Sequence, residues 1–113
     1  MTPIMIWLMM MEVVMQVSLK LNGHEYKAKL VKRAYSNGNV AIQAIDAEDG
    51  QPIAVLSTNT GDKVDKEYVA IKDYSENTGA LSSLKEAGVV SDPEYFLKSG
   101  YVTIPVCKLL KEI

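Results

Sequence analysis

The chain holds one cysteine and one histidine in 113 residues, and each scarcity closes off a class of chemistry. With Cys107 alone, neither an intrachain disulfide nor a cysteine-ligated metal site can form. A reducing, intracellular setting is expected, with Cys107 serving as a small apolar residue in a strand. With His24 alone, beside an Asn22-Gly23 turn, a Ser-His-Asp set would have to be built on a solvated turn histidine. No phosphate cradle of the type Gly-x-x-x-x-Gly-Lys occurs, nor a Gly-x-Gly-x-x-Gly fingerprint. No Lys or Arg precedes Lys20 and there is no Ala-x-Ala site, so a secretory signal is not indicated. A cationic excess is missing as well: 12 basic residues face 14 acidic ones, a net charge of −2. Dedicated nucleic-acid binders carry a clear positive balance, so direct nucleic-acid contact is not expected. No cofactor and no metal are expected either.

What the chain does have is an uneven start. All six methionines and the tryptophan lie within residues 1–15, and the first charge is Glu12. Thr2, Pro3, Glu12 and Gln16 interrupt this run short of the roughly 20 apolar residues a membrane span needs, so no membrane role is expected. The run must instead cover apolar surface or meet another chain. Residues 1–14 are read as a separate Met-rich segment and 15–113 as one domain. Ile4, Ile6, Trp7, Leu8 and Met9 are candidate oligomerisation residues, because methionine-rich surfaces adapt to irregular partners. Met15-Gln16-Val17-Ser18-Leu19 would open a first strand without the preceding residues.

Apolar residues make up 48% and charged residues 23%, a balance that supports one folded core. The period of the apolar positions is mostly two. Met15, Val17, Leu19 and Leu21 alternate with polar residues, then Asn22-Gly23 gives a type I′ hairpin signal, and Tyr26, Ala28 and Leu30 return. Further strands are expected at 40–47, 53–58, 68–71 and 101–110, separated by the turns 36–39 and 48–52 and the polar loop 59–66. Ile53, Val55 and Ser57 are expected to share one face. Ala80, Leu81, Leu84 and Ala87 fall at helical spacing, with Gly88 placed as a C-terminal cap and Ser75, Asn77 or an Asp73/Glu76 capping box at the start. Tyr95-Phe96-Leu97 is expected as a docking turn after the Asp92-Pro93 break. Pro105 suggests that the last strand lies at an edge or carries a bulge. The expected fold is α+β: a curved, mostly antiparallel sheet of about six strands with one short helix.

Charge is segregated along the chain. Residues 16–45 carry a net +4 and residues 46–78 a net −5. Two acidic loops, Asp46, Glu48 and Asp49 and then Asp62, Asp65 and Glu67, are candidate partner-binding surfaces that could compete for a cationic groove. The first lacks calcium-loop spacing. Asp73, Tyr74, Glu76 and Asn77 form the densest polar segment, at a strand-to-helix junction where ligands or partners often dock. Lys27 and Lys29 alternate with Tyr26, which sets the stacking group on the face opposite the charges.

Several stretches carry a resemblance. These are Tyr35–Gln43, Asp46–Asn59, the Asp73-Tyr74-Ser75-Glu76-Asn77 segment with its preceding Ile71-Lys72, and Gly100-Tyr101-Val102-Thr103-Ile104-Pro105-Val106-Cys107 through Leu110. Together they resemble a family of short bacterial proteins, a domain of unknown function, found on phages and conjugative elements. The similarity spans about residues 17–110 and leaves the Met-rich run outside. It carries over no catalytic residue. It implies a mobile-element setting in the cytoplasm of a host bacterial cell, and interference with host defence. The resulting expectation is a non-enzymatic accessory protein that occupies a surface of a host protein, with a nuclease complex such as a CRISPR effector first among candidates. The alternative is a self-associating structural or accessory protein, a homodimer joined through the Met-rich run.

Overall fold

The computed structural model describes residues 16–113. The Met-rich segment, with Ile4, Ile6, Trp7, Leu8 and Met9, lies outside the described residues. Seven strands and one α-helix follow: β1 (Gln16–Leu21), β2 (His24–Ala34), β3 (Val40–Asp46), β4 (Pro52–Val55), β5 (Tyr68–Ala70), α1 (Ala80–Glu86), β6 (Val90–Ser99) and β7 (Val102–Leu109). A single 3-10 turn, Ser75–Asn77, precedes α1. The strands form two antiparallel sheets, one of order β1-β2-β3-β4 and one of order β5-β7-β6. The fold is α+β, as the alternating and helical periods indicate, with one strand more than expected.

The β1–β2 hairpin forms as its sequence dictates. Asn22 (φ 51°) and Gly23 (φ 86°) both take the positive φ of a type I′ turn. The register then pairs Leu19 with Tyr26 and Val17 with Ala28, so Val17, Leu19, Leu21, Ala28 and Leu30 are buried together. Ile42 and Ala44 of β3 extend this apolar face.

β4 departs from simple alternation. Its pairing with β3 shifts between Ala44 and Ile45, which leaves Ile53 as the extra residue of a bulge. Val55 therefore points outward, 48% exposed, while Leu56 is fully buried. The face expected for Ile53, Val55 and Ser57 is thus divided. Beyond β4 the chain crosses to the second sheet through a Ser57–Ile71 bridge, with the Thr58 N–H bonded to Ala70 O (3.0 Å) and the Lys72 N–H to Leu56 O (2.8 Å). The two sheets are in this way joined along a bent path.

α1 seals an edge. It lies along β1, where the Lys20 N–H donates to Ser83 Oγ (2.9 Å) and the Asn22 N–H to Thr78 O (2.7 Å). These bonds occupy groups that an edge strand would otherwise leave open. The helix start is not a capping box. Gly79 is the N-cap at φ 105°, and Asp73 Oδ1 accepts from the Gly79 and Leu81 N–H groups. At its end, Gly88 (φ 73°) bonds to Lys85 O and Val89 to Leu84 O, the Schellman arrangement expected of that glycine.

The second sheet holds two corrections. Tyr95-Phe96-Leu97 is not a docking turn but the middle of β6, a long strand paired with β7. Pro93 is accommodated because the register shifts on both sides of it, so its missing N–H falls in irregular pairing. Pro105, for its part, lies in the central strand rather than at an edge. Its carbonyl accepts from the Ile71 N–H (2.9 Å), and β5 has already ended at Ala70, so the absent donor falls beyond the strand it would have served.

The second sheet is packed on both faces. Val69 and Cys107 join the main core with Leu56, Ile71, Leu84 and Val89. Ala70, Val106, Ile104 and Val64 form a second cluster on the opposite face, with Tyr68, Tyr74, Leu97 and Val102 half-buried over it.

Candidate functional site

Alternation in β2 separates two chemistries. Lys27, Lys29 and Arg33 share the outer face of the first sheet with Lys20, while Tyr26 packs against the core. Arg33 Nε donates to Gln43 Oε1 (3.1 Å) on that face. Among the described residues the row carries no aromatic ring, and Glu25 stands in it opposite Lys20.

The acidic residues do not gather into one site. Asp46, Glu48 and Asp49 occupy the turn at one end of β3. Asp62 sits by the other end, where its carbonyl accepts from Asn39 Nδ2 (2.7 Å). The seven-residue length of β3 separates them by about 20 Å. The Asp46 carboxylate is occupied locally: it accepts the Glu48 and Asp49 N–H groups, and these bonds hold its carboxyl below the ordinary value. Asp73 caps α1, as described above. Asn77 is buried, and its Nδ2 donates to Val55 O (2.7 Å), tying the 3-10 turn to β4. Glu76 pairs with Lys72, and this bond pulls its carboxyl down to about 2. The Lys72 ammonium also lies 5.6 Å from the Tyr74 ring centre. The junction segment is thus occupied by capping and bracing bonds. His24 is exposed at the hairpin end.

A different grouping emerges over the second cluster. Asn39, buried, clamps the 59–67 loop: its Nδ2 donates to Asn59 Oδ1 and Asp62 O, and its Oδ1 accepts from the Val64 N–H (3.0 Å). Val64 is thereby seated in the second cluster, and the loop delivers Asp65 and Glu67 beside Tyr68. From β6, Glu94 Oε1 accepts the Tyr68 hydroxyl (2.9 Å) and the Tyr95 ring lies 6.3 Å from that of Tyr68 in a tilted arrangement. The Glu94 hydrogen bond, with the charges of Glu67 and Asp65, pushes the Tyr68 hydroxyl above its ordinary pKa. Tyr74 and Leu97 flank the same cluster. The result is a tyrosine–carboxylate face resting on packed apolar residues.

Of the sequence-derived candidates, Asp65 and Tyr74 fall at this face, and Glu67 lies at its margin, where it also borders Lys32 and Lys66. Sequence reasoning missed Tyr68, Glu94 and Tyr95. The available signal was the alternation of Tyr95, Leu97 and Ser99 with Phe96 and Lys98 between Pro93 and Gly100, a strand pattern obscured by the preceding proline.

A shallow groove of about 300 Å³ lies by the C-terminal tail, where Lys32, Lys66 and Lys111 face Glu67 and Glu112 over Leu109 and Leu110. Its mixed signs select neither an anion nor a cation. Among the described residues no three His, Cys, Asp or Glu side chains are grouped to hold a metal ion, and no helix is long and apolar enough to cross a membrane. Cys107 is fully buried, and burial pushes its thiol up to about 11. No protein-family model matches the chain, and neither curated proteins nor solved structures give a significant match.

Proposed function

We propose that this chain is a non-enzymatic binding protein that docks on a cationic surface of a partner protein through its tyrosine–carboxylate face. One observation carries the reading: Tyr68 is bonded to Glu94 and in tilted ring contact with Tyr95, close to the charges of Asp65 and Glu67, over a packed apolar cluster. Tyrosine gives contact area at low entropic cost and is enriched at interface hot spots. Carboxylates around it supply complementarity to Lys and Arg and speed encounter. A rigid base under the rings spares the ordering cost that a loop would incur.

The setting we propose is the host bacterial cytoplasm, with a phage or mobile element as the source and inhibition of a host defence complex as the role. That setting rests on the sequence resemblance carried by Asp73–Asn77 and Gly100–Cys107. Guide-loaded nucleases hold nucleic acid in positively charged channels, and an acidic aromatic face is suited to occupy one. Capture from host lysate under mild salt tests the reading. A stoichiometric protein partner that dissociates as salt rises is expected; recovery of no partner at any salt refutes it.

A further inference from the structure

The second sheet has an open margin at β6. Ser99-Gly100-Tyr101-Val102 closes the β6–β7 hairpin, with Gly100 at φ 61°, and Ser99 pairs with Val102. In a two-residue hairpin the flanking pair exchanges both backbone bonds, so by alternation Leu97–Ile104 and Tyr95–Val106 are the next bonded pairs. The N–H and C=O groups of Phe96 and Lys98 therefore point away from β7, and no described residue bonds to them. Phe96 is 58% exposed and Tyr95 40%. Folded proteins ordinarily blunt such a margin with charge, proline or a bulge. Here the bulge and Pro93 protect only the segment before Tyr95, and Lys98 is the one charge beyond it.

We infer that this margin pairs antiparallel with β6 of a second copy of the chain, centred on Leu97. Three registers are available to so short a segment, and chemistry separates them. Centring on Lys98 sets Lys98 against the partner's Lys98, a like-charge pair. Centring on Phe96 requires the partner's Glu94, which lies in the bulge and whose carboxylate is held by Tyr68. Centring on Leu97 sets Phe96 against the partner's Lys98 and Lys98 against the partner's Phe96. Both of these pairs then exchange both backbone bonds, and each places an ammonium by an aromatic ring. Leu97 meets the partner's Leu97 on the face that carries Tyr95. The interface is isologous and closes at two copies. It sets the two tyrosine–carboxylate faces side by side, but it does not depend on their proposed role.

The test uses the full chain in three forms: wild type, Phe96→Lys and Phe96→Glu. Solution mass is measured by light scattering through a dilution series. Phe96 is exposed, so both variants are expected to keep the wild-type circular dichroism spectrum and cooperative unfolding. Wild type is expected at twice the mass of one chain. Phe96→Lys opposes two lysines at both symmetric pairs and is expected to weaken dimerisation by about tenfold or more. Phe96→Glu faces the partner's Lys98 and is expected to remain dimeric. A monomeric wild type overturns the inference. So does a pair of variants that both stay dimeric, which places the contact elsewhere, the Met-rich run included. Equal weakening of both variants overturns the register, and with it the proposal.

Discussion

Gly79 shows how a single residue decides where the helix can sit. Its φ of 105° is open to glycine and strained for any other residue, and a Cβ there would collide with the Lys20 carbonyl. Since α1 seals the β1 edge at that point, Gly79→Ala is expected to destabilise the domain by about 2–4 kcal/mol, read as a lowered denaturation midpoint with unchanged slope. Glu76 offers a test by pH. Its folded-state carboxyl titrates at about 2 against an ordinary 4.5, mainly through its bond to Lys72. Because the folded value is depressed, the stabilisation it brings is fully present above about 4.5 and is lost as pH falls through about 2. An NMR titration of the Glu76 side chain is expected to show that low midpoint, and Lys72→Met to move it up toward 4.5. A midpoint unaffected by Lys72→Met would assign the shift to the local backbone instead. Cys107 belongs at the same scale. Buried, with its thiol pushed up to about 11, it is expected to resist alkylation in the native protein and to react once denaturant opens the core. Rapid native labelling would mean that the second sheet opens freely.

At the scale of elements, legibility followed the purity of the period. β1 and the first half of β2 alternate cleanly around Asn22-Gly23, so strands, faces and turn could be read directly there, and β3 was read from Val40, Ile42 and Ala44 on one side. The helix was readable from Ala80, Leu81 and Leu84, and its end from Gly88. Its start was not, because the cap comes from Asp73, six residues before Gly79, across an intervening 3-10 turn. Nothing in a spacing rule anticipates a cap carried around a turn. β4 and β6 were misread for a related reason: bulges at Ile53 and next to Pro93 shift the period by one, so that the apparent face changes midway. Pro105 misled in the opposite sense. Its cost in a central strand is avoided because the neighbouring β5 ends at Ala70, one residue short of the position opposite Pro105.

For the whole molecule, the segregation of charge along the sequence carries over to space only in part: Glu25 stands opposite Lys20 on the first sheet, and Glu67 and Glu112 meet Lys32, Lys66 and Lys111 by the C-terminal tail. The outer face of the first sheet carries Lys20, Lys27, Lys29 and Arg33. Two acidic groups stand apart, one at the β3–β4 turn and one at the second sheet, and only the latter meets tyrosines on an apolar base. The candidate site was half visible in sequence. Asp65, Glu67 and Tyr74 stood out as parts of polar, acidic stretches. Tyr68, Glu94 and Tyr95 come from strands whose pairing partners are distant in the chain, and only the β5-β7-β6 order brings them together. The two acidic groups thus provide an internal comparison.

The most direct measurement is parallel capture from host lysate with three full-length baits: wild type, Glu67→Lys/Glu94→Lys, and Glu48→Lys/Asp49→Lys. Each double variant changes net charge equally, so bulk electrostatics are matched. The account predicts that wild type and the turn variant retain the same stoichiometric partner, while the Glu67→Lys/Glu94→Lys bait loses it. Retention by that bait, or equal loss from both variants, would contradict a docking surface built on Tyr68, Glu94 and Tyr95.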